Sequence, residues 1–267
     1  MAVSYIIIIS IVQGLTEFLP VSSSGHLVLA PLIFHVQDQG LVMDLAVHIG
    51  TLLAVLAYYR RDVWEISLSC IPWRKTFHKD KRRLGIYLVL ATIPAVVFGF
   101  IMHNFLPEGI RDIRVIAATT LGFGVLLGAA DYTGSRTGTM EQMTLKSAML
   151  IGCAQVLALI PGTSRSGITI TMARFLGINR VDAARFSFLL SIPVTAGAGF
   201  LGVLDVLKAQ DARLGVDMAL AAAVTFAAGF LAIAFMMRWL KNSGMMPFAV
   251  YRVLLGGALA AYLVLRV

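Results

Sequence analysis

Charged residues are scarce in this chain of 267 residues: Asp, Glu, Lys and Arg make up 13% of it, against 58% hydrophobic residues. Soluble domains average about 25% charged residues, so the composition excludes an ordinary soluble globular domain. A mean hydropathy of +0.85 is typical of a protein embedded in a lipid bilayer. No Lys or Arg precedes Arg60, so we expect no cleavable signal peptide, which would carry a basic first segment.

Cysteine is nearly absent as well. Cys70 and Cys153 lie in unrelated contexts without the spacing of a metal-binding motif, so we assign neither a disulfide nor a cysteine metal site. The formal net charge of +8 would suit a nucleic-acid partner. However, the basic residues cluster between apolar segments, a pattern that sets orientation in membrane proteins. We therefore expect the lipid bilayer, and no nucleic acid, as a partner.

The apolar segments predict an all-α polytopic membrane protein with six transmembrane helices and two re-entrant helix pairs. A span needs about 20 residues, and the six predicted spans are Leu41–Tyr59, Leu84–Phe105, Ile113–Ala130, Ala183–Leu207, Met218–Leu240 and Pro247–Leu265. The remaining apolar segments are interrupted. Ala2–Phe18 with Leu27–Phe34 forms one short pair, and Ser147–Leu176, broken at residues 161–167, forms the other. We expect each pair to enter and leave the membrane by the same face.

Basic residues between the spans predict the orientation. Arg60–Arg83 is interpreted as a polar loop, and its many Lys and Arg residues place it on the cytoplasmic side. Asp131–Lys146 is a second loop, in which Asp131 and Arg136 are interpreted as ordinary loop residues. Both termini then lie outside. The other basic residues expected on the cytoplasmic side are Arg136, Lys146, Arg174, Arg180, Arg185, Arg238, Lys241 and Arg252.

The two short helix pairs are expected to enter the membrane from opposite faces, and this predicts an inverted repeat. The repeat lies within a single membrane domain, residues 1–267, with halves of about 1–130 and 144–267. Superimposing Ser22 on Ser164 also aligns Gln13 with Gln155, Ser24 with Ser166 and Gly25 with Gly167. Inverted repeats with broken helices place a site near the bilayer midplane, with helix N-termini facing an anionic group. The halves differ chemically, because Glu17 aligns with Leu159 and Ser23 with Arg165.

The first interruption, Gln13–His26, concentrates polar groups where an apolar helix should continue. It holds a carboxylate, a proline, three consecutive serines and a histidine. Each unpaired polar group away from water costs several kcal/mol, so this composition indicates a functional site. Pro20 breaks the helix, and the serines are N-cap residues that predict a new helix starting near Ser24.

The second interruption, Pro161–Gly167, reads Pro-Gly-Thr-Ser-Arg-Ser-Gly. Glycines let the backbone approach a ligand closely, and hydroxyl groups beside free backbone amides form an anion cradle. The planar guanidinium of Arg165 suits phosphate geometry. An arginine at membrane depth is costly unless paired, so two interpretations stand: Arg165 binds a phosphate, or it forms a structural ion pair with Glu17.

The two interruptions resemble the two signature motifs of the undecaprenyl pyrophosphate phosphatase family, the integral-membrane type associated with bacitracin resistance. Asp44–Val55 and Phe186–Pro193 are similar to flanking stretches of the family. The resemblance implies hydrolysis of a C55 isoprenyl diphosphate to the monophosphate carrier lipid, which is recycled for cell-wall synthesis. It also implies a divalent cation, Mg²⁺ or Ca²⁺, and a multi-pass protein of the bacterial inner membrane whose site opens to the periplasm. A homodimer is a candidate assembly.

The resemblance assigns catalytic roles to Glu17, Ser23, His26 and Arg165. Glu17, the only carboxylate in either interruption, is the candidate general base or metal ligand. Ser23 is a nucleophile or a phosphate ligand, His26 is the competing nucleophile or the acid, and Arg165 stabilises the transferring phosphoryl group. Many family members carry Glu where Gln13 stands, so Gln13 is assigned to binding. The residues expected to bind the substrate are Gln13, Ser22, Ser24, Gly162, Thr163, Ser164, Ser166 and Gly167.

A transporter or flippase for an anionic lipid is the alternative function, because it would use the same inverted repeat around a midplane anion site. A soluble-phosphate channel is a third. Neither requires a nucleophile, whereas Glu17, Ser23 and His26 together provide the groups that hydrolysis needs. The sequence therefore favours an enzyme.

Overall fold

The computed structural model describes residues 3–34, 40–71, 79–105, 110, 112–134, 137–209 and 212–265. These residues form eleven α-helices and two short 3₁₀ turns, without a β-strand, so the predicted all-α class is confirmed. The helices are α1 Val3–Phe18, α2 Ser23–Phe34, α3 Gly40–Tyr58, α4 Arg60–Ser69, α5 Lys79–Phe105, α6 Ile113–Thr133, α7 Leu145–Gln155, α8 Arg165–Phe175, α9 Arg180–Ala209, α10 Ala212–Asn242 and α11 Met246–Leu265.

All six predicted spans are helical in the structure, except that the first ends at Tyr58, one residue before the predicted end. Four helices, α5, α6, α10 and α11, are long and apolar enough to cross a membrane by themselves. Large apolar side chains on these helices point away from the bundle; Phe100, Leu231, Leu254 and Val264 are each at least 66% exposed. An apolar outer surface is what contact with lipid requires, and the protein is a multi-pass membrane protein.

Two pairs of short helices interrupt this bundle. α1 and α2 have 16 and 12 residues, and α7 and α8 have 11 each. At about 1.5 Å per residue, even the longest falls short of the hydrocarbon core, which is about 30 Å thick. The partners of each pair contact each other. This arrangement agrees with the two predicted re-entrant pairs.

The predicted polar loop over Arg60–Arg83 is wrong at both ends, because α4 occupies its first part and α5 begins at Lys79. α4 is amphipathic: Val63 and Ile66 pack against the main apolar core. On its polar side, Asp62 forms ion pairs with Lys81 of α5 and Arg185 of α9. The loop was predicted from the low average hydropathy of this segment, which does not reveal that its apolar residues share one side of a helix. Residues 72–78 lie outside the described part of the chain.

The interpretation of Asp131 as a loop residue is also wrong. α6 continues to Thr133, and the Asp131 side chain is only 2% exposed. Its carboxylate accepts hydrogen bonds from Nε and Nη2 of Arg180, at 2.6 and 2.9 Å, and from the backbone N–H of Met245. Asp131 therefore ties α6 to α9 and to the start of α11. Arg136, assigned to the same loop, lies outside the described residues.

The helix order repeats along the chain, and the two series pack against each other. α1, α2, α3, α5 and α6 correspond to α7, α8, α9, α10 and α11, with α4 as an addition. α1 packs on α10, and its counterpart α7 packs on α5. Small residues permit both contacts: a Cβ on Gly14 would lie 2.6 Å from the Cβ of Ala228, and one on Gly152 would lie 2.3 Å from the carbonyl oxygen of Ala91.

Candidate active site

The first break lies between α1 and α2, where the sequence places it. α1 ends at Phe18, before Pro20, and α2 begins at Ser23, one residue earlier than predicted. Ser22 adopts a left-handed backbone conformation with φ 77°. In this conformation its hydroxyl accepts a hydrogen bond from the N–H of Gly25 at 3.3 Å and caps the new helix.

The second break repeats this local geometry. Ser164 has φ 70°, and its hydroxyl accepts from the N–H of Gly167 at 3.1 Å. The hydroxyl groups of Ser164 and Ser166 lie 3.3 Å apart, and those of their counterparts Ser22 and Ser24 lie 3.4 Å apart. The alignment of the two breaks from sequence therefore corresponds to a shared backbone path.

Helix α6 holds the second break in place. Gly162 has φ 86°, and a Cβ at this position would come within 2.2 Å of Oγ1 of Thr119. Thr119 donates its hydroxyl hydrogen to the carbonyl oxygen of Pro161 at 2.6 Å. Thr120 donates to the carbonyl oxygen of Gly162 at 3.3 Å. Gly162 is thus required by its conformation and by the close approach of α6.

Glu17 joins candidate catalytic residues of both breaks. Its Oε2 accepts hydrogen bonds from the hydroxyl of Ser23 at 2.6 Å and from Nε2 of Gln13 at 3.0 Å. Its Oε1 accepts from Nη2 of Arg165 at 2.9 Å, and the two charged side chains are 8% and 14% exposed. The ion pair between Glu17 and Arg165 that the sequence suggested is therefore present, and it spans the two breaks.

Three buried polar atoms in residues of the two breaks have no hydrogen-bond partner in the described part of the chain: Nη1 of Arg165, Oε1 of Gln13 and Oγ1 of Thr163. Buried polar groups are nearly always hydrogen-bonded in native proteins. Two donors and an acceptor left unpaired in residues of the two breaks indicate a polar ligand. The ion pair with Glu17 thus engages only Nη2 of Arg165, and Nη1 is still available to bind a ligand.

The imidazole of His26 contacts the last helix. Its Nδ1 lies 2.7 Å from the carbonyl oxygen of Ser22, and its Nε2 lies 2.6 Å from the hydroxyl of Tyr251 on α11. The two rings are nearly parallel, with 8° between their planes and 5.9 Å between their centroids. No sequence pattern indicated Tyr251, which stands in an apolar helix outside both motifs.

Arg252 corrects one assignment made from the sequence. We expected it among the basic residues on the cytoplasmic side, but it is completely buried within α11. Its guanidinium donates to the carbonyl oxygens of Gly162 at 2.9 Å and Pro20 at 3.5 Å, and also to those of Thr119 and Thr120. Arg252 therefore holds both breaks at once. The position of Arg252 as a single basic residue inside a predicted span was the sequence feature that indicates a buried structural role.

The other predicted binding residues hold the breaks together through their polar groups. Ser166 is fully buried and donates to the carbonyl oxygen of Leu19 at 3.2 Å, which links the second break to the first. Ser22 and Ser164 cap their helices, as described above, and Ser24 lies beside Ser22. Gly167 leaves room for Arg252, since a Cβ there would lie 2.7 Å from Nη1.

The donor set at Glu17 fits a cation that arrives with its ligand. The described residues contain no group of three or more His, Cys, Asp or Glu side chains able to hold a metal alone. Mg²⁺, however, commonly binds through one or two carboxylates together with substrate phosphates. Glu17 provides a carboxylate, and the unpaired Oε1 of neighbouring Gln13 provides a second oxygen.

Fold and site together define an α-helical membrane protein with a charged centre built between two broken helices. Residues 6–258 match the family model described as Bacitracin resistance protein BacA, and the chain belongs to this family. The Undecaprenyl-diphosphatase of Alcanivorax borkumensis is 50% identical over 258 residues, 96% of this chain and 97% of that protein. The Undecaprenyl-diphosphatase of Alteromonas mediterranea is 47% identical over 257 residues, covering 95% and 96%.

Proposed function

We propose that this protein is a membrane phosphatase that hydrolyses undecaprenyl diphosphate to undecaprenyl phosphate and phosphate. The observation that carries the proposal is the hydrogen bond of 2.6 Å from the hydroxyl of Ser23 to Glu17, whose other oxygen is paired with Arg165. A hydroxyl bound to a base that a third group orients is the arrangement of an activated nucleophile. The full-length relatives named Undecaprenyl-diphosphatase support the choice of substrate.

In this proposal Ser23 is the nucleophile. Its Oγ attacks the terminal phosphorus while Glu17 takes the hydroxyl proton, and the bond from that phosphorus to the bridging oxygen breaks, releasing the lipid monophosphate. Water then attacks the phosphorus held on Ser23 and gives a proton to Nε2 of His26, while the bond from Ser23 Oγ to phosphorus breaks and Glu17 returns its proton to that oxygen. Inorganic phosphate leaves, and Nε2 of His26 releases its proton to solvent. Ser23 is favoured over His26 as nucleophile because its hydroxyl is bonded to the Glu17 carboxylate, whereas the lone pair on Nε2 of His26 is occupied by the hydroxyl of Tyr251.

Arg165 stabilises the charge on the transferring phosphoryl group. Nη2 stays on Glu17, and the unpaired Nη1 binds a phosphate oxygen. The first residues of α2 and α8 are Ser23 and Arg165 themselves. Both helix N-termini therefore begin at the reactive residues, where free N–H groups and the helix dipoles favour an anion. Oxyanion stabilisation of this kind accounts for a large part of the rate in phosphoryl transfer.

A divalent cation, Mg²⁺ or Ca²⁺, would be held by Glu17 and Oε1 of Gln13 together with diphosphate oxygens. A bound cation would neutralise negative charge on the phosphate oxygens. We expect Glu17→Gln to weaken cation binding to the protein–substrate complex, measured with Mn²⁺ by electron paramagnetic resonance. The readout does not depend on turnover. Unchanged Mn²⁺ binding in Glu17→Gln would mean that Glu17 does not bind the cation and acts only in proton transfer.

We also propose that the protein lies in the bacterial inner membrane with its site opening to the periplasm. The cluster of basic residues in and after α4 supports a cytoplasmic position for that segment. With six spans, both termini then lie outside. A reporter fused after Val267 should be active in the periplasm, and cytoplasmic activity of this reporter would contradict the topology.

The experiment that tests the function separates hydrolysis from transport. The purified protein is placed in detergent micelles, where no second compartment exists, and inorganic phosphate is measured with undecaprenyl diphosphate, farnesyl diphosphate or inorganic diphosphate as substrate. We expect release of inorganic phosphate from undecaprenyl diphosphate, and we expect this release to stop in excess chelator. A folded protein that releases no phosphate but binds the lipid diphosphate would favour the transporter alternative.

A further inference from the structure

Tyr251 places its hydroxyl group beside Nε2 of His26, the nitrogen that takes a proton in the proposed reaction. This residue comes from α11, the last helix, while His26 lies in the first turn of α2. The hydroxyl oxygen is 2.6 Å from Nε2 of His26, and the rings are parallel within 8°. The neighbouring Arg252 is completely buried against both breaks, and this anchors α11 beside α2. Tyr251 itself is 42% exposed.

The backbone of Ser22 decides which nitrogen of His26 carries hydrogen. Nδ1 lies 2.7 Å from the Ser22 carbonyl oxygen, and a carbonyl oxygen can only accept a hydrogen bond. Nδ1 is therefore the donor. In a neutral imidazole the other nitrogen then has a free lone pair, so Nε2 accepts the hydroxyl hydrogen of Tyr251. The same carbonyl also accepts the backbone N–H of His26, at 3.3 Å.

We propose that Tyr251 is a positioning residue for His26: its hydroxyl binds the Nε2 that Ser22 leaves as the proton-accepting atom, and it holds the ring at the edge of the site. The inference rests on the proposed function, in which Nε2 takes a proton from the attacking water. As that water approaches Nε2, the Tyr251 hydroxyl gives up its hydrogen bond to the nitrogen and bonds to the water instead. No proton is gained or lost by Tyr251 in this exchange.

Tyr251→Phe removes the hydroxyl and keeps the stacked ring. We expect kcat to fall about tenfold, as the loss of one hydrogen bond of ordinary strength predicts, with KM nearly unchanged. Tyr132→Phe is the matched control, since Tyr132 lies on α6 with 85% of its surface exposed, and it should behave as wild type. In a His26→Gln background, Tyr251→Phe should cause no further loss, because its effect acts through the imidazole.

A second measurement does not depend on hydrolysis. In protein labelled with ¹⁵N-histidine, the resonances missing from His26→Gln identify the imidazole of His26. We expect hydrogen on Nδ1 and none on Nε2 in the wild type and in Tyr251→Phe, because Ser22 sets the tautomer, and a shifted Nε2 resonance in Tyr251→Phe, where the hydrogen bond to this nitrogen is lost. Hydrogen on Nε2 in the wild type, an unchanged kcat in Tyr251→Phe, or a full additional loss in the double variant would each overturn the inference. Absence of phosphate release by the wild type would instead refute the proposed function and leave the tautomer measurement valid.

Discussion

The guanidinium of Arg252 occupies the space in which a Cβ of residue 167 would lie, 2.7 Å from Nη1. Gly167 is therefore required by a residue on another helix, and not by its own backbone conformation. In the first break the corresponding Gly25 has more room, because the nearest atom to its Cβ position is Oγ of Ser22 at 3.3 Å. The repeat thus conserves the backbone path of the breaks but not the packing around them.

This difference predicts unequal effects of two equivalent substitutions. Gly167→Ala should displace Arg252 from the carbonyl oxygens of both breaks and lower stability by about 1–3 kcal/mol, the usual cost of overpacking. Gly25→Ala should cost less. Thermal melting of both variants in the same detergent measures the difference. Equal melting temperatures would show that Arg252 can move aside, and its role in holding the breaks would be wrong.

Arg165→Lys should lose most activity although the charge is kept. Arg165 uses one terminal nitrogen for Glu17 and has a second one unpaired, and a lysine ammonium cannot hold both positions in a fixed plane. The variant should fold, since Lys can still pair with Glu17. Phosphate release and thermal melting check the two statements separately. Near-normal turnover in Arg165→Lys would leave the arginine with a structural ion pair only.

The two glutamines at equivalent positions should differ in function. Gln13 donates to Glu17 at 3.0 Å, whereas the side chain of Gln155 is buried without a hydrogen-bond partner in the described chain. Gln13→Ala should therefore lower kcat more than Gln155→Ala, whose effect should appear as a change in stability. The measurement is kcat for both variants, with folding checked by thermal melting. Equal losses of kcat in two well-folded proteins would refute a division of roles between the halves.

Asp131→Asn should be strongly destabilising, because it leaves the fully buried Arg174, whose Nε lies 3.7 Å from this carboxylate, and the partly buried Arg180 beside a neutral side chain. Removing one partner of a buried ion pair typically costs about 3–5 kcal/mol. Asp80→Asn is the matched control: Asp80 pairs with Arg83 on the same helix, and its side chain is 72% exposed, so its loss should have little effect. Chemical unfolding of the two variants compares them. Similar stabilities would mean that the Asp131 carboxylate contributes no net stabilisation.

The sequence was sufficient for the six spans and for the polar centre that the structure brings together, because both depend on local patterns. Hydropathy identified the spans, and the concentration of polar residues around Glu17 and Arg165 indicated the candidate site. Tyr251 and Arg252 were missed because each is a single residue in an apolar helix, and only tertiary packing brings it to the breaks. α4 was missed because its apolar face is visible as a periodicity and not as an average hydropathy.

Phosphate release by Ser23→Ala tests the central claim most directly. Ser23 is the proposed nucleophile, and its removal should reduce kcat about a thousandfold or more, while binding of undecaprenyl diphosphate and the melting temperature stay close to those of the wild type. Ser67→Ala, a change on the exposed side of α4, should release phosphate at the wild-type rate. Full turnover by a folded Ser23→Ala protein would contradict the account.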